Sequence, residues 1–243
     1  MNVTERPRSE AIEIKRHESY PSDDLRFLQR THPLRGAPFG RLVYVADSIM
    51  QPMRTPGFGM HPHANVEVVS YVVDGELTHQ DSQGNVGVVP PGGFQRITAG
   101  TGIRHDESNR TSTPLRMFQI WFEPAALDVS PDYDVISSEP LMRPNAFATI
   151  MSPTGGSAAM PVNADATISV GRFAAGKTAS IDVGEGRAAL LYLVEGSATW
   201  DGTLLHRQDQ LRLWGATFVQ LVPTEDSLFL WIESAAAPPS TRS

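Results

Sequence analysis

The sequence predicts an all-β protein built as two β-barrels in tandem, and three observations carry that expectation. Short apolar runs rich in β-branched and aromatic residues recur along all 243 residues, punctuated by 20 glycines and 19 prolines, and helical periodicity is scarce. Two-residue turn signals of the Asp-Gly type sit between such runs. An internal repeat then divides the chain into two halves of the same kind.

In order along the chain, strands are expected at 41–46 (RLVYVA), 66–73 (VEVVSYVV), 116–122 (RMFQIWF), 167–173 (TISVGRF), 188–194 (AALLYLV) and 228–233 (LFLWIE), each bounded by turn residues. Asp74-Gly75, between SYVV and ELTH, and Asp201-Gly202, between SATW and TLLH, both read as hairpin turns. The repeat pairs Tyr71-Val-Val-Asp-Gly75 with Tyr192-Leu-Val-Glu-Gly196, and later Gln119-Ile-Trp-Phe-Glu123 with Phe229-Leu-Trp-Ile-Glu233. The resulting organisation is an N-terminal extension (1–38) packing partly on the barrels, a first barrel (39–124), a proline-bearing acidic linker (125–150), a second barrel (151–235) and a tail (236–243). The first ~25 residues and the tail are expected to be poorly anchored.

Composition narrows the chemistry. Without cysteine the chain forms no disulfide, thiolate–zinc site, iron–sulfur cluster or thiol nucleophile. The net charge of −7 and a pI near 5.5 argue against a nucleic-acid partner, which calls for a basic patch. No apolar run approaches the ~20 residues of a membrane span, so no membrane association and a cytoplasmic location are expected.

Seven histidines are present, and the sharpest feature is His61-Pro-His63. Residues two apart in an extended segment project from one face, so both imidazoles can reach one ion. His105-Asp-Glu107 repeats the geometry with an imidazole and a carboxylate. Neighbouring antiparallel segments would offer three nitrogens and one oxygen to a common point. Such a set suits Fe(II), Mn, Ni, Cu or Zn, and an octahedral ion would keep two positions open. Glycines flank both pairs (GFGM before the first, TAGTGI before the second) and permit the close backbone approach that converging strands require.

The strings GFGMHPHANVEVVSYVVDGELTHQDSQGN and PPGGFQRITAGTGIRHDESN resemble the pirin family of bicupins, densely from about Phe39 to Pro124. The resemblance implies two tandem cupin (jelly-roll) barrels with one N-terminal metal site, whose ligands fall on His61, His63, His105 and Glu107. It implies a single divalent ion, most often iron. It also implies, for some bacterial members, quercetin 2,3-dioxygenase activity, with O2 and a small aromatic substrate of the flavonol kind. Other members of that family are non-enzymatic nuclear cofactors of transcription.

Within the resemblance, Glu67 follows His63 as H-x-x-x-E, the place where many cupins carry a carboxylate ligand. Residues 61, 63 and 67 share parity, so Glu67 is expected near the metal side, as a partner of the ligands or a base beside Glu107. Gln95 stands where many cupins carry a third histidine, which His105 replaces. The segment RTHPLRGAP (30–38) departs from the aromatic-rich stretch usual before the first barrel of pirins, which bears on the substrate.

At the 121-residue offset of the repeat, His61 and His63 correspond to Asp182 and Gly184, and Glu67 to Ala188; with His206 alone in that half, the second barrel is expected to hold no metal. His79 and Asp81 read as a polar hairpin end, or less readily as a proton relay at a pocket mouth. His17 and His32 read as solvent-exposed. Met50, Met53, Phe58 and Met60 read as core packing or as an apolar wall for an aromatic ligand.

The leading functional expectation is a monomeric, metal-dependent dioxygenase that opens a chelating aromatic substrate, with Glu107, or Glu67, accepting the hydroxyl proton. A regulatory protein with the same ligands, sensing metal or its redox state and binding a protein partner, is the expectation from a different class. A cupin isomerase or lyase without O2 chemistry is a third.

Overall fold

The structure is a computed structural model that describes residues 12–16, 26–35, 38–53, 56–156 and 159–236. Its first eleven strands are β1 (Ile12–Lys15), β2 (Phe27–Leu34), β3 (Leu42–Met50), β4 (His61–His63), β5 (Glu67–Asp74), β6 (Leu77–Asp81), β7 (Val86–Val89), β8 (Gly93–Thr98), β9 (Ile103–Ser108), β10 (Leu115–Phe122) and β11 (Asp132–Ser137). Then follow β12 (Ala146–Ser152), β13 (Met160–Pro161), β14 (Ala166–Phe173), β15 (Ala179–Val183), β16 (Arg187–Glu195), β17 (Ser197–Trp200), β18 (Thr203–His206), β19 (Gln210–Trp214), β20 (Thr217–Pro223) and β21 (Ser227–Ala235). No helix occurs among the described residues. Accordingly none is long and apolar enough to cross a membrane. His17 and most of the tail lie outside the described residues.

The chain divides into two units. The first takes the described residues of 18–140 and 152–165, with a six-stranded sheet in the order β11-β8-β5-β10-β3-β2 and a four-stranded sheet β4-β9-β6-β7. All the pairings are antiparallel. The second takes the described residues of 1–17, 141–151 and 166–243, with the larger sheet running β1-β19-β16-β21-β14-β12 and a four-stranded sheet β15-β20-β17-β18. Apart from the two-residue β13 and the edge strands β11 and β1, which the repeat does not relate, the two orders match strand for strand. The edge beside β8 is closed by β11, and the corresponding edge beside β19 by β1.

Every expected strand is present, lengthened by a few residues where pairing continues past the apolar run. Asp201-Gly202 forms the expected tight hairpin: Trp200 pairs with Thr203, and both turn residues take positive φ (46° and 73°). Asp74-Gly75 does not. β5 pairs with β8 and β10 while β6 pairs with β7 and β9, so this dipeptide is a corner where the chain leaves one sheet for the other. Gly75 (φ 79°) lies so close to the Pro114 carbonyl that a Cβ would collide with it. Tight turn chemistry specifies a reversal, and the apolar face of the next strand decides which sheet it joins.

Residues 125–150, expected as a linker, carry β11 and part of β12. Their prolines stand outside those strands, where no ladder hydrogen bond is lost. The repeat motifs are also not in strict register. Trp121 pairs with Val68 but Trp231 with Leu191, two residues from the position that the Tyr71–Tyr192 match dictates. A slip of two keeps each side chain on its own face, so the barrel tolerates it.

In the first unit, the residues of β5 that face the smaller sheet are Val68, Ser70 and Val72, and in-register neighbours extend them into rows. Ile97, Val68 and Trp121 form an apolar row; Gln95, Ser70 and Gln119 form a polar one; Val72 and Met117 belong to a third, apolar again. The polar row crosses the middle of the barrel.

Candidate metal centre

The site is built on β4 and β9, which pair with His61 opposite His105 and His63 opposite Ile103. Before β4 the chain must pass against β9. The Phe58 N–H donates to the Glu107 carbonyl (3.1 Å), and Gly57 presses on the same carbonyl with no room for a Cβ. Asp106, of opposite parity to the site residues, anchors this loop by accepting the Gly59 N–H (2.7 Å). The glycine-rich stretch therefore does what its composition suggested.

His61, His63 and His105 form one cluster, with ligand atoms all within 4.8 Å of one another. His61 Nδ1 lies 2.7 Å from the Gly59 carbonyl oxygen. A carbonyl only accepts, so this contact places the proton on Nδ1 and leaves the Nε2 lone pair free. His63 Nε2 and both ring nitrogens of His105 are buried with no hydrogen-bond partner. Burial, then the neighbouring imidazoles, lowers His63 to about 4 against a partial offset from Glu107. Burial, then His61 and His79, lowers His105 to about 3 against Asp106 and Asp81. Both are neutral at pH 7, the state in which imidazole binds metal. Leaving such groups unpaired costs about 1–3 kcal/mol each, which a shared ion offsets. The donor set fits a divalent metal.

Glu107 shares the parity of His105 on β9 and is fully buried. Its Oε1 accepts from Ser70 Oγ (2.6 Å) and Gln95 Nε2 (2.5 Å), and its Oε2 from Gln119 Nε2 (2.5 Å). The whole polar row of the larger sheet thus converges on one carboxylate. The three-histidine cluster does not include Glu107, whose oxygens are held by that row. Ser70 and Gln119 escaped the sequence reading, and Gln95 figured only as an absent histidine. The signal was available: a lone polar residue at an inward position of an otherwise apolar strand.

Glu67 is elsewhere. The parity argument that carries it to the metal side assumes one strand from 61 to 67, but Asn65 takes a left-handed turn (φ 49°) and β5 begins a new sheet. There Glu67 and Ser70 have opposite parity and face opposite sides. Glu67 Oε2 accepts from Thr98 Oγ1 (3.0 Å) and the Asn163 N–H (3.3 Å). Burial raises its pKa to about 7, against the Thr98 hydrogen bond and the Arg96 charge.

The β6–β7 hairpin does end at Asp81, whose carboxylate accepts from the Gln83 and Asn85 N–H groups and from Asn85 Nδ2 as a polar turn should, but His79 lies inside the hairpin and not at its tip. It stands opposite Glu107 in the β6–β9 ladder, fully buried, with Nε2 3.0 Å from Asp81 Oδ2. Its ring stacks on Tyr133 at 4.1 Å and lies 5.6 Å from His105. Tyr133 comes from β11, inside the segment expected as a linker. His32, expected in solvent, is half-buried. Met50 packs in the core, Met53 and Met60 are exposed, and Phe58 alone of that group reaches the cavity described next.

A cavity of about 430 Å3 opens beside the cluster. His61, Tyr44, Phe58, Gln119 and Trp121 form its aromatic and polar wall, and Arg30, His32 and Arg35 its basic side. Trp121 joins cavity to cluster, with its ring 4.8 Å from Tyr44 and 5.1 Å from His63.

The pirin family model matches residues 24–122, and a model described as the quercetinase C-terminal cupin domain matches 149–234. A pirin-like protein of Caulobacter vibrioides is 32% identical over 183 residues, covering 74% of this chain and 78% of that protein. This chain belongs to the pirin family. A protein of Escherichia coli K12 named quercetin 2,3-dioxygenase is 30% identical to this pirin over 195 residues, covering 78% of this chain and 80% of its own. The crystal structure of YhhW from Escherichia coli matches with a TM-score of 0.84 at 26% identity, over 93% of this pirin and 98% of that chain. A nickel(II) complex of the same bacterial pirin matches with a TM-score of 0.81 at 25% identity, over 93% and 100% of the two chains. The fold of this pirin is thus that of a bicupin, with a candidate divalent-metal site in its first barrel.

Proposed function

We propose that this pirin is a metal-dependent dioxygenase of the quercetin 2,3-dioxygenase kind, acting with O2 on a small aromatic chelator of the flavonol class. The observation that carries the reading is the cluster of three imidazoles, with unpartnered buried nitrogens on His63 and His105, while its third member, His61, lines an aromatic-walled cavity. The names of the relatives point the same way. His61, His63, His105 and Glu107 would hold one divalent ion, with Fe(II) favoured over Mn, Ni, Cu or Zn. When bound, the ion supplies Lewis acidity toward the chelating oxygens and the redox partner for O2.

The protein's own part follows from the geometry. Trp121, Tyr44 and Phe58 offer ring faces for a flat substrate and exclude water from it. Ser70, Gln95 and Gln119 hold the Glu107 carboxylate in one orientation with three donors, so the group that accepts the substrate's hydroxyl proton is positioned in advance. Glu67, on the opposite face of its sheet, takes no part. An accessible cavity at His61 favours turnover over a purely structural or sensing use of the metal.

The test is metal content by mass spectrometry with O2 uptake on quercetin. About one first-row metal per chain and O2 consumption that stops in His61→Ala and Glu107→Ala are expected. Metal-loaded protein that consumes no O2 with any flavonol overturns the enzymatic reading.

A further inference from the structure

The side of the cavity away from the histidine cluster is basic, and that bears on the chemistry of the substrate. Arg30 and His32 alternate on β2 with Thr31 between them, and Arg35 follows the strand; all three line the cavity that His61 also lines. Arg30 is held by π contacts, with its guanidinium carbon 4.6 Å from the Phe27 ring centroid and 5.6 Å from that of Phe58. One of its nitrogens, Nη2, donates to the Tyr44 hydroxyl (2.8 Å), and Nε is buried with no partner. Among the described residues no carboxylate pairs with Arg30 or Arg35, and none lines the cavity. The field of both guanidiniums reaches His32, whose pKa falls through burial first and then through Arg30 and Arg35. Among the described residues, a chain of net charge −7 thus gathers two guanidiniums without a carboxylate partner at one cavity.

A guanidinium that lines a cavity with no carboxylate partner is suited to receive one, because its planar fork matches two oxygens and is weakly hydrated. Its positive field also draws anions into a cleft on an otherwise acidic protein. We propose that the cavity selects an aromatic chelator that carries an anionic group of the carboxylate type, with Arg30 and Arg35 binding the anion while the chelating oxygens face the histidine cluster. The proposal rests on the functional reading above for the orientation of the chelating end, and on the arginines alone for the anionic end. A neutral flavonol would then bind more weakly than a chelator of the same kind that carries a carboxylate.

The experiment titrates the metal-loaded protein with 3,4-dihydroxybenzoate and with catechol, followed by tryptophan fluorescence, since Trp121 lines the cavity. The acid is expected to bind at least about tenfold tighter, and the ratio to shrink several-fold on raising salt. Arg30→Gln and Arg35→Gln should each collapse the ratio. Arg35→Glu, at an exposed side chain, should reverse it. Equal binding of the two ligands, or a preference that survives all three substitutions, overturns the proposal. Metal-free protein separates the two readings by comparing 2-naphthoate with 2-naphthol, which need no ion. Preference for naphthoate without O2 uptake on any chelator removes the oxygenase reading and keeps the anion site. O2 uptake on quercetin with no charge preference does the reverse.

Discussion

The two barrels of this pirin share one strand order and differ in what fills them. In the first, the inward positions of β9 are His105 and Glu107, with His61, His63 and His79 on the strands beside it and a row of Gln95, Ser70 and Gln119 across the larger sheet. In the second, the corresponding interior is apolar: Ala179, Ile181 and Val183 on β15, Val219 and Leu221 on β20, Ala189, Leu191 and Leu193 on β16, with Phe173 and Phe229 among them. The 121-residue offset sets Asp182 and Gly184 against the histidines, but β15 alternates so that Ile181 and Val183 are the buried pair. The comparison teaches that hydrogen-bonded strand order asks only for alternation. Chemistry depends on which few inward positions are polar, and on whether those polar groups satisfy one another.

The comparison breaks most completely if the ligand layer is removed. His105→Ala should reduce bound metal from about one per chain to under about a tenth, with loss of metal-dependent turnover, while circular dichroism keeps the β signature. Retention of stoichiometric metal would take His105 out of the site. The converse change, Ile181→His, places an imidazole among aliphatic neighbours with nothing to bond. Destabilisation by roughly 2–5 kcal/mol in urea titration and no second metal are expected. A variant of unchanged stability would show that the second interior is less exclusive than its packing indicates.

Titration separates the barrels next. Glu67 has a folded pKa of about 7 against 4.5 for a free glutamate, so the folded protein holds a proton that the unfolded chain has released. The stabilisation is complete below pH 4.5 and is lost as pH rises through about 7, worth up to ~3 kcal/mol. The residue aligned with Glu67 by the repeat is the buried, non-titrating Ala188. Urea midpoints between pH 5 and 8 should fall in the wild type and flatten in Glu67→Gln; a slope that survives the substitution assigns it to another group. The smallest effect sharpens the role of the polar row. Gln119→Leu removes one of three donors from Glu107 and should weaken metal affinity about 10–100-fold without changing stoichiometry.

Much of this was legible in the residues. Alternation and β-branched content located the strands, the repeat announced two barrels, and Asp201-Gly202 fixed a hairpin because its two left-handed positions admit few residue types. H-P-H and H-D-E were readable as ligand pairs because strand parity is local. Glu67 failed that same parity test for want of one fact, the left-handed turn at Asn65, which resets the face. Asp74-Gly75 misled because a turn signal names a reversal and not the strand that receives it.

What the sequence by itself determined is therefore what short-range geometry controls: strand, turn, the shared face of residues two apart, and the absence of thiol chemistry. Tertiary structure alone decided which strands became neighbours. It brought His61 against His105 from 44 positions away, drew Ser70, Gln95 and Gln119 onto Glu107, stacked Tyr133 of the expected linker on His79, and set Arg30 and Arg35 beside the cavity. The reason is physical. Burial makes each polar group seek a partner, and the partner available is fixed by sheet register across the barrel, not by distance along the chain.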